Sequence, residues 1–383
     1  LKMDFLGLSN LTVLAKCVDN IEKTTGVRID PRQAPEDDQK TWDMLARGET
    51  TGVFQLEGGG MTRWLVQLKP QNIRELAAMI ALYRPGPMEH IQRFIDTKFG
   101  RTAVEYLDPR MEPLLNETYG VIVYQDQVLK LVQALAGFSL GKADILRRAM
   151  GKKDEKAMSG MKLEFMEGTA AIGISADVAD QIWTLLLPFA GYAFNKAHAV
   201  CYAILSHQTA YLKANYPEEY MAALLAVYRT KEDRVIAFIE ECRRMKIPVL
   251  QPDVNVSVTD FSIDVLGKKS EKAIRFGLGA IKGVGDGVVA GIIKEREENG
   301  PYTHLFEFAE RVRPYGMNRT ALDALIKAGA LDSIDTNRQK LLNQLEGALQ
   351  FADQTIRQRQ AGQDSLFGED SGDVTTAYPL LPD

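Results

Sequence analysis

The sequence predicts a mainly α-helical fold in which a large helical domain is followed by a small α+β region. Helical patterns run through most of the first 230 residues and are interrupted by Gly and Pro. The composition changes near residue 250, where two prolines precede alternating valines. A predicted β-hairpin and two predicted helix pairs follow this change, which places the α+β region in the last third of the chain.

Length and composition indicate an ordinary globular protein with more than one domain. A chain of 383 residues exceeds one average core, so two or three domains are expected. Its 45% hydrophobic and 25% charged residues are typical of globular proteins. The net charge of -5 argues only weakly against a nucleic-acid partner, and local basic clusters decide that question.

Cysteine spacing and apolar patterns argue against several other classes. The three cysteines, Cys17, Cys201 and Cys242, are far apart, which fits reduced thiols and neither a disulfide framework nor a zinc site. No apolar run approaches the roughly 18 residues that a membrane span needs. The chain begins at Leu1 without a signal-peptide pattern. We therefore expect a piece of a larger, soluble, cytoplasmic protein.

The first predicted elements have clear boundaries in the sequence. Asp37 or Asp38 caps a helix that ends near Gly48. Residues 73–82 predict a compact apolar helix that ends at Arg-Pro-Gly-Pro. Residues 121–124 are mostly β-branched and predict one isolated strand.

Later elements follow the same signals. Tyr216-Pro217 separates two helices, because the residue before a proline avoids the helical region. Residues 261–263 and 274–276 flank a polar turn and predict a hairpin. Residues 362–383 are polar and acidic, as in a mobile linker. The predicted helices cover residues 125–135, 141–150, 154–171, 175–187, 198–215 and 217–228, and the two helix pairs about 284–312 and 318–349.

The opening Lys2-Met3-Asp4-Phe5 predicts a short strand with a charged face. Side chains alternate along a strand, so Lys2 and Asp4 share one side. A cation beside a carboxylate suits metal and phosphate chemistry, but a two-metal site needs more than one carboxylate. The residues alone leave open that Asp4 is a surface acid.

A basic cluster lies between residues 144 and 153. Arg147, Arg148, Lys152 and Lys153 place four cations within seven residues. On a helix, Arg148 and Lys152 are i,i+4 neighbours that repel each other mildly, and a triphosphate would relieve the repulsion. Arginine binds phosphate oxygens in pairs through its planar fork. The alternative is a solvated basic helix end.

The segment between residues 189 and 198 combines three aromatic residues with Lys196 and His198. Such a composition can stack a base and contact sugar and phosphate. The alternative is a turn between helices with aromatic core anchors. The aromatic residues favour that alternative, whereas Lys196 and His198 favour a functional role.

A glycine-rich turn, Lys282-Gly283-Val284-Gly285, precedes an apolar helix. Dinucleotide binding would need a second parallel strand and an acid about 20 residues on. A helix-hairpin-helix fits better, because its glycines expose backbone N–H groups that bind a DNA phosphate without reading sequence. A plain glycine turn stays an alternative.

Two adjacent large apolar residues, Leu366 and Phe367, stand in the polar tail a few residues after Gln363. They could anchor a disordered peptide in a hydrophobic pocket of a partner. A five-residue pattern is weak, and chance is the default reading.

Taken in order, these segments resemble the alpha subunit of the bacterial replicative DNA polymerase III. The resemblance extends to about residue 368, and a series of this length is highly specific. It rests on Lys2-Met-Asp-Phe-Leu-Gly-Leu, Val53-Phe-Gln-Leu-Glu, Tyr83-Arg-Pro-Gly-Pro, Gly120-Val-Ile-Val-Tyr-Gln, Leu146-Arg-Arg-Ala-Met-Gly-Lys-Lys, Phe194-Asn-Lys-Ala-His, Gly279-Ala-Ile-Lys-Gly-Val-Gly and Gln363-Asp-Ser-Leu-Phe.

The resemblance implies functions for several residues. Asp4 is the third metal-binding carboxylate of a polymerase palm, whose upstream Asp pair is absent from this chain, so Mg²⁺ binding needs that upstream part. The incoming nucleotide is contacted by Lys2, Arg147 and Arg148, and His198 lies where the family checks the sugar. Residues 282–285 contact duplex DNA, and Gln363, Leu366 and Phe367 contact a sliding clamp.

The resemblance also implies an organisation and a set of partners. Residues 1–8 end the palm, 9–230 form the fingers, 231–368 form a clamp-binding region with tandem helix-hairpin-helix motifs at about 279–349, and 369–383 form a flexible tail. Most of the palm is lacking. The expected partners are primer-template DNA, deoxynucleoside triphosphates, a sliding clamp and other replicase subunits, without a membrane. The activity is DNA-directed nucleotidyl transfer. The alternative is a non-catalytic DNA- and clamp-binding scaffold when the piece is isolated.

Overall fold

The computed structural model describes residues 7–152, 155–267, 271–360 and Tyr378. Over these residues the protein is mainly helical with a small sheet, which confirms the predicted fold class. The chain divides into a central unit of residues 30–215 and a terminal unit formed by the residues before and after it. Within the described ranges, no helix is both long enough and apolar enough to cross a membrane.

Helix α1 (Ser9–Thr25) belongs to the terminal unit, and the next ten helices belong to the central unit. In chain order these are α2 (Gln39–Ala46), α3 (Gly59–Leu68), α4 (Ile73–Leu82), α5 (Ile91–Lys98), α6 (Glu112–Leu115), α7 (Gln125–Ala136), α8 (Leu140–Lys152), α9 (Glu155–Ala171), α10 (Ala176–Tyr192) and α11 (Lys196–Asn215).

Local capping signals explain where several of these helices begin. The Asp38 carboxylate accepts from the Thr41 amide at 2.9 Å, so Asp38 and not Asp37 is the cap of α2. Asn72 caps α4 by accepting from the Glu75 amide at 3.0 Å. These side chains satisfy amides that have no partner inside the first turn.

The strand predicted at residues 121–124 is wrong. Only an isolated parallel bridge between Tyr124 and Phe194 forms there. The Gln127 side-chain oxygen instead accepts from the amides of Val123 and Tyr124, at 2.9 and 3.0 Å. The backbone donors that a strand would use are therefore taken by the first turn of α7.

Two hydrophobic cores fill the central unit. The first lies between α2, α3, α4, α5 and α11, and the second lies among α6 to α10. In the first core the buried Glu75 carboxylate pairs with the buried Lys98 ammonium at 2.8 Å. The Tyr119 hydroxyl donates to the same carboxylate at 2.5 Å, and burial raises the pKa of this phenol. Both oxygens of the buried acid are thereby satisfied.

The terminal unit combines helices with the predicted hairpin. Strands β2 and β3 pair antiparallel, with Ile263 opposite Ile274, which confirms the hairpin. Strand β1 pairs parallel to β3, and the sequence pattern had not indicated this third strand. The elements after α1 are α12 (Pro217–Val227), α13 (Glu232–Arg244), β1 (Val249–Leu250), β2 (Ser262–Leu266), β3 (Glu271–Arg275), α14 (Asp286–Asn299), α15 (Leu305–Val312), α16 (Arg319–Lys327) and α17 (Arg338–Gln360).

Helix α1 packs on α12, about 200 residues later in the chain. The fully buried Glu219 carboxylate accepts from the Thr24 hydroxyl at 2.6 Å and from the Lys272 ammonium at 2.5 Å. The compact units divide near residues 30 and 215. The predicted functional boundaries at residues 8, 230 and 368 stay predictions.

Candidate functional site

The first candidate residues, Lys2 and Asp4, lie outside the described residues. The described part of the chain brings together no group of three or more His, Cys, Asp or Glu side chains that could hold a metal ion. The described residues therefore do not by themselves fit a magnesium site. Asp4 stays a prediction.

The basic cluster lies on α8, where both arginines bind one acid of their own helix. The Asp144 carboxylate accepts from Arg147 at 2.9 Å and pairs with Arg148 at 2.7 Å. These are i,i+3 and i,i+4 pairs, as expected for neighbours on one helix face. The hydrogen bond from Arg147 is the largest of the effects that hold the pKa of Asp144 below its usual range.

This pairing corrects the expected electrostatics of the cluster. The sequence predicts mild repulsion between Arg148 and Lys152 that a triphosphate would relieve, but Asp144 already offsets the charge of Arg148. The Arg148 side chain is still 68% exposed, against 25% for Arg147. Arg148 can therefore turn toward a ligand at little packing cost, whereas Arg147 is partly enclosed.

A short turn before α11 places the second group of candidate residues. The Phe194 amide donates to the Val123 carbonyl at 3.0 Å, and the Gln125 amide donates to the Phe194 carbonyl at 2.9 Å. These two bonds attach the turn to the segment that precedes α7. The Arg84 guanidinium lies 4.2 Å from the centre of the Phe194 ring, a cation–π contact that sequence reasoning missed.

The segment that precedes α7 is held in place by Gln127, a buried side chain that sequence reasoning also missed. Besides holding two amides through its oxygen, Gln127 donates through its nitrogen to the Thr118 hydroxyl at 2.8 Å. A glutamine at the third helical position is a sequence signal for such a reciprocal cap. The turn at Phe194 is therefore supported by a satisfied buried network.

His198 is exposed but its ring has fixed neighbours. The Asn195 side chain accepts from the His198 amide at 3.0 Å and so caps the start of α11. The Tyr202 ring centroid lies 4.2 Å from that of His198, and the Phe194 ring meets it edge-on at 5.3 Å. The imidazole is thus held on the surface by its own helix and turn.

Lys196 is paired as well. Its ammonium lies 2.5 Å from the Glu117 carboxylate and 5.5 Å from the centre of the Tyr124 ring. Both members of the ion pair are about one third exposed. A phosphate would therefore compete with Glu117 for this lysine, as it would compete with Asp144 for the arginines.

The structure does not join the two groups directly. Among the described residues, no hydrogen bond, ion pair or ring contact links Arg147 or Arg148 to His198. The arginines belong to the second core's helices, and α11 belongs to the first. The bridge between Tyr124 and Phe194 joins the turn before α11 to the segment before α7, not to α8, which carries the arginines.

The glycine turn in the terminal unit has the geometry predicted for a helix-hairpin-helix. Gly283 has φ of +94°, and a Cβ there would lie 3.5 Å from Thr320 on α16. Only glycine adopts this backbone conformation readily. Gly285 precedes α14 with φ of -77°, and nothing lies within 4 Å of where its Cβ would be.

The charged side chains at this turn are on the surface. The Lys282 side chain is 90% exposed and lies 3.5 Å from Glu232. Asp286 begins α14, is 79% exposed and lies 3.4 Å from Arg229. The helix start presents free backbone amides to solvent, and Lys282 stands next to them.

The helices around this turn share one core. Val284 and Val289 pack with Leu322 and Leu341, which confirms two packed helix pairs in this region. Helix α17 continues to Gln360, beyond the predicted end at residue 349. Gln363, Leu366 and Phe367 lie outside the described residues.

Two family models match the chain, one over its first part and one over the region with the glycine turn. Residues 10–173 match the bacterial DNA polymerase III alpha subunit finger domain, and residues 246–341 match a helix-hairpin-helix motif. The chain is 45% identical over 99% of its length to the DNA polymerase III subunit alpha of Saccharopolyspora erythraea, and equally to that of Thermus aquaticus.

These matches fit a fragment of a bacterial DNA polymerase III alpha subunit. The corresponding subunit of Caulobacter vibrioides is 44% identical over 97% of the chain. The chain spans about a third of the length of these relatives, from 31% to 32%. The predicted recognition is confirmed for this segment.

We expect Gln127→Leu to destabilise the central unit by about 2–4 kcal/mol, because it leaves two buried amides without an acceptor. Leucine fills a similar volume, so packing changes little. Urea unfolding followed by tryptophan fluorescence measures the central unit selectively, since Trp42, Trp64 and Trp183 all lie within it. The control is Gln133→Leu, on the same helix and only partly buried. A Gln127→Leu loss no larger than that of the control would contradict the role of the network.

Proposed function

We propose that this chain is the nucleotide-binding and DNA-contacting segment of a replicative DNA polymerase. The single observation that supports it most is that one family match contains Arg147 and Arg148 and the other contains the turn at residues 282–285. In the complete subunit, the primer 3′ hydroxyl attacks the α-phosphorus of a deoxynucleoside triphosphate and pyrophosphate leaves. This chain supplies groups that bind the nucleotide and the duplex.

Asp4 is proposed as one carboxylate ligand of Mg²⁺ in that subunit. The other carboxylates expected from the family resemblance are not in this chain. When bound, Mg²⁺ would supply electrostatic stabilisation of the phosphate charges. Lys2 shares the exposed side of the same predicted strand and is proposed to contact the triphosphate.

Asp4→Asn in the full-length subunit should lower the maximal rate of nucleotide addition by more than about 100-fold, because a metal ligand supplies several kcal/mol at the transition state. DNA affinity should stay near wild type, since the substitution lies outside the proposed duplex contacts. Primer extension and DNA binding are measured on the same preparations. A near-normal rate would remove Asp4 from the site and favour the scaffold described below.

Arg147 and Arg148 are proposed to bind the triphosphate after leaving Asp144. A triphosphate carries more negative charge than one carboxylate and offers several oxygens to two guanidinium forks. The ligand-free pairing holds both guanidinium groups beside the same carboxylate on one helix face. His198, exposed beside Tyr202, is proposed to limit space at the sugar 2′ position.

Arg148→Ala should lower kcat/KM for the nucleotide by about 10- to 150-fold, equivalent to losing a charge-assisted bond of 1.5–3 kcal/mol. Arg148 is the sharper probe because its side chain is mostly exposed, and Arg147→Ala should act in the same direction. Lys142→Ala is the matched control, since Lys142 is on α8 and pairs with Glu164.

In the same assay, His198→Ala should relax discrimination against ribonucleotides.

Two results would contradict these nucleotide roles. An Arg148→Ala subunit with the kinetics of the Lys142→Ala control would leave the arginines as a solvated basic helix end. Unchanged discrimination between ribo- and deoxyribonucleotides in His198→Ala would exclude His198 from the sugar check.

The turn at residues 282–285 is proposed to bind a backbone phosphate of duplex DNA. The exposed helix start and Lys282 support it, because a phosphate there meets amide donors, the helix dipole and one cation. Such a contact is independent of sequence and weakens as salt rises.

Gly285→Val should weaken duplex binding, and Lys282→Ala should reduce the slope of log affinity against log salt by about 1. Gly285 suits this test because its φ is negative and the space around it is open, so the unit should keep its fold. Gly283→Val would disturb the turn itself, because of the positive φ at that residue. Gly160→Val, at another open glycine, is the control. If Gly285→Val and Lys282→Ala bind DNA as tightly as the control at every salt concentration, the turn is only structural.

Gln363, Leu366 and Phe367 are proposed to dock into a sliding clamp. Burying two large apolar side chains would contribute about 1.5–3 kcal/mol each, a weak contact that simultaneous binding to one DNA strengthens. Leu366→Ala with Phe367→Ala should abolish clamp-stimulated long synthesis and spare short extension without the clamp. Equal loss of both activities would indicate a folding defect, and loss of neither would leave the pentapeptide a chance match.

The alternative function is a DNA- and clamp-binding scaffold without catalysis. The helix-hairpin-helix match, which lies wholly inside the chain, favours this reading for the isolated piece. Full activity of an Asp4→Asn subunit would support the scaffold, and loss of activity with retained DNA binding would support the polymerase role.

A further inference from the structure

The start of α15 forms one wall of an aromatic site in the terminal unit. His304 caps this helix, and its Nδ1 accepts from the Phe306 amide at 3.3 Å. This bond fixes the orientation of the imidazole ring. Phe306 and Phe351 meet edge to face with centroids 5.6 Å apart, which brings α17 against the same wall.

A buried acid closes the polar end of this site. Glu310 on α15 is only 6% exposed, and its Oε1 pairs with the Arg359 guanidinium of α17 at 2.6 Å. The second oxygen, Oε2, faces Tyr378. The site therefore offers an imidazole face, a phenyl edge and a carboxylate acceptor.

Tyr378 occupies all three parts of the site. Its ring stacks on His304 with centroids 5.4 Å apart and an angle of 15° between the rings. Phe351 meets it at 6.0 Å and 66°, and the hydroxyl donates to Glu310 Oε2 at 3.4 Å. Burial raises the pKa of Tyr378 to about 12, so the hydroxyl stays protonated and can donate at neutral pH.

We propose that the site formed by His304, Phe351 and Glu310 is a docking site for Tyr378, which attaches the chain at this residue to the terminal unit. A phenol fits better than other side chains, because its ring matches two aromatic walls and its hydroxyl reaches the carboxylate. The sequence predicts a flexible tail over residues 369–383; of these residues the structure describes Tyr378, whose ring packs against the core of the terminal unit.

This docking does not rest on the proposed function. The predicted clamp-binding peptide lies between Gln360, where α17 ends, and Tyr378 in the sequence.

The rotational freedom of the tail tests the proposal. A fluorophore is attached to Asp383→Cys in a chain that also carries Cys201→Ser, because Cys201 is the exposed cysteine and Cys17 and Cys242 are buried. Tyr378→Ala should increase the amplitude of the nanosecond anisotropy decay about twofold, as expected when a tether is released. Tyr378→Phe should give an intermediate value, since it keeps the ring contacts.

A second variant removes the His304 ring, on which Tyr378 stacks, and keeps a capping side chain at the start of α15. His304→Asn replaces the imidazole by another good capping side chain, so α15 should still begin normally. It should release the tail as Tyr378→Ala does, and Thr375→Ala should leave the anisotropy at the wild-type value. Wild-type anisotropy in Tyr378→Ala would show that the tail is not docked. Release by Tyr378→Ala but not by His304→Asn would place the tyrosine elsewhere. Either result overturns the proposal.

Discussion

The candidate nucleotide site depends on the packing of α11 against α4. Helix α4 is buried over the eight residues from Glu75 to Leu82, so it acts as the centre of the first core. Helix α11 lies across it and is held at its carboxyl end by Lys213, a fully buried lysine. The Lys213 ammonium donates to the carbonyls of Glu49 and Thr51 at 2.9 and 2.8 Å. A buried charge that satisfies two carbonyls fixes the position of the helix along its axis.

The other end of α11 is fixed by different means. The turn at Phe194 bonds to the segment before α7, and that segment is held by Gln127. Lys196 and His198 therefore project from a helix that is anchored at both ends. A surface site built on such a helix is precise, because its residues cannot shift without breaking buried hydrogen bonds.

Electrostatics in the ligand-free protein follow one pattern. Three candidate phosphate-binding cations of the central unit have acidic partners: Asp144 pairs with Arg147 and Arg148, and Glu117 pairs with Lys196. These pairs are partly exposed, so each contributes little to stability and costs little to break. An anion of higher charge can displace these carboxylates and bind the cations. Before the anion binds, the carboxylates keep the cations paired.

Local signals in the sequence predicted much of the fold, and long-range contacts explain what was missed. The cap at Asp37 or Asp38 and the break at Tyr216-Pro217 are read from neighbouring residues, so these helix boundaries followed. The packing of α1 on α12 and the bridge at Phe194 join distant segments and leave no local pattern. The pairing of both arginines with Asp144 was visible as i,i+3 and i,i+4 spacing and could have been predicted.

The most direct test of the nucleotide-binding account is a structure of the full-length subunit with primer-template DNA and an incoming deoxynucleoside triphosphate. The account predicts a guanidinium nitrogen of Arg147 or Arg148 within about 3.2 Å of a phosphate oxygen. It also predicts that the same arginine has moved away from Asp144. Both arginines still bound to Asp144, with the triphosphate beyond hydrogen-bond distance of either, would contradict it.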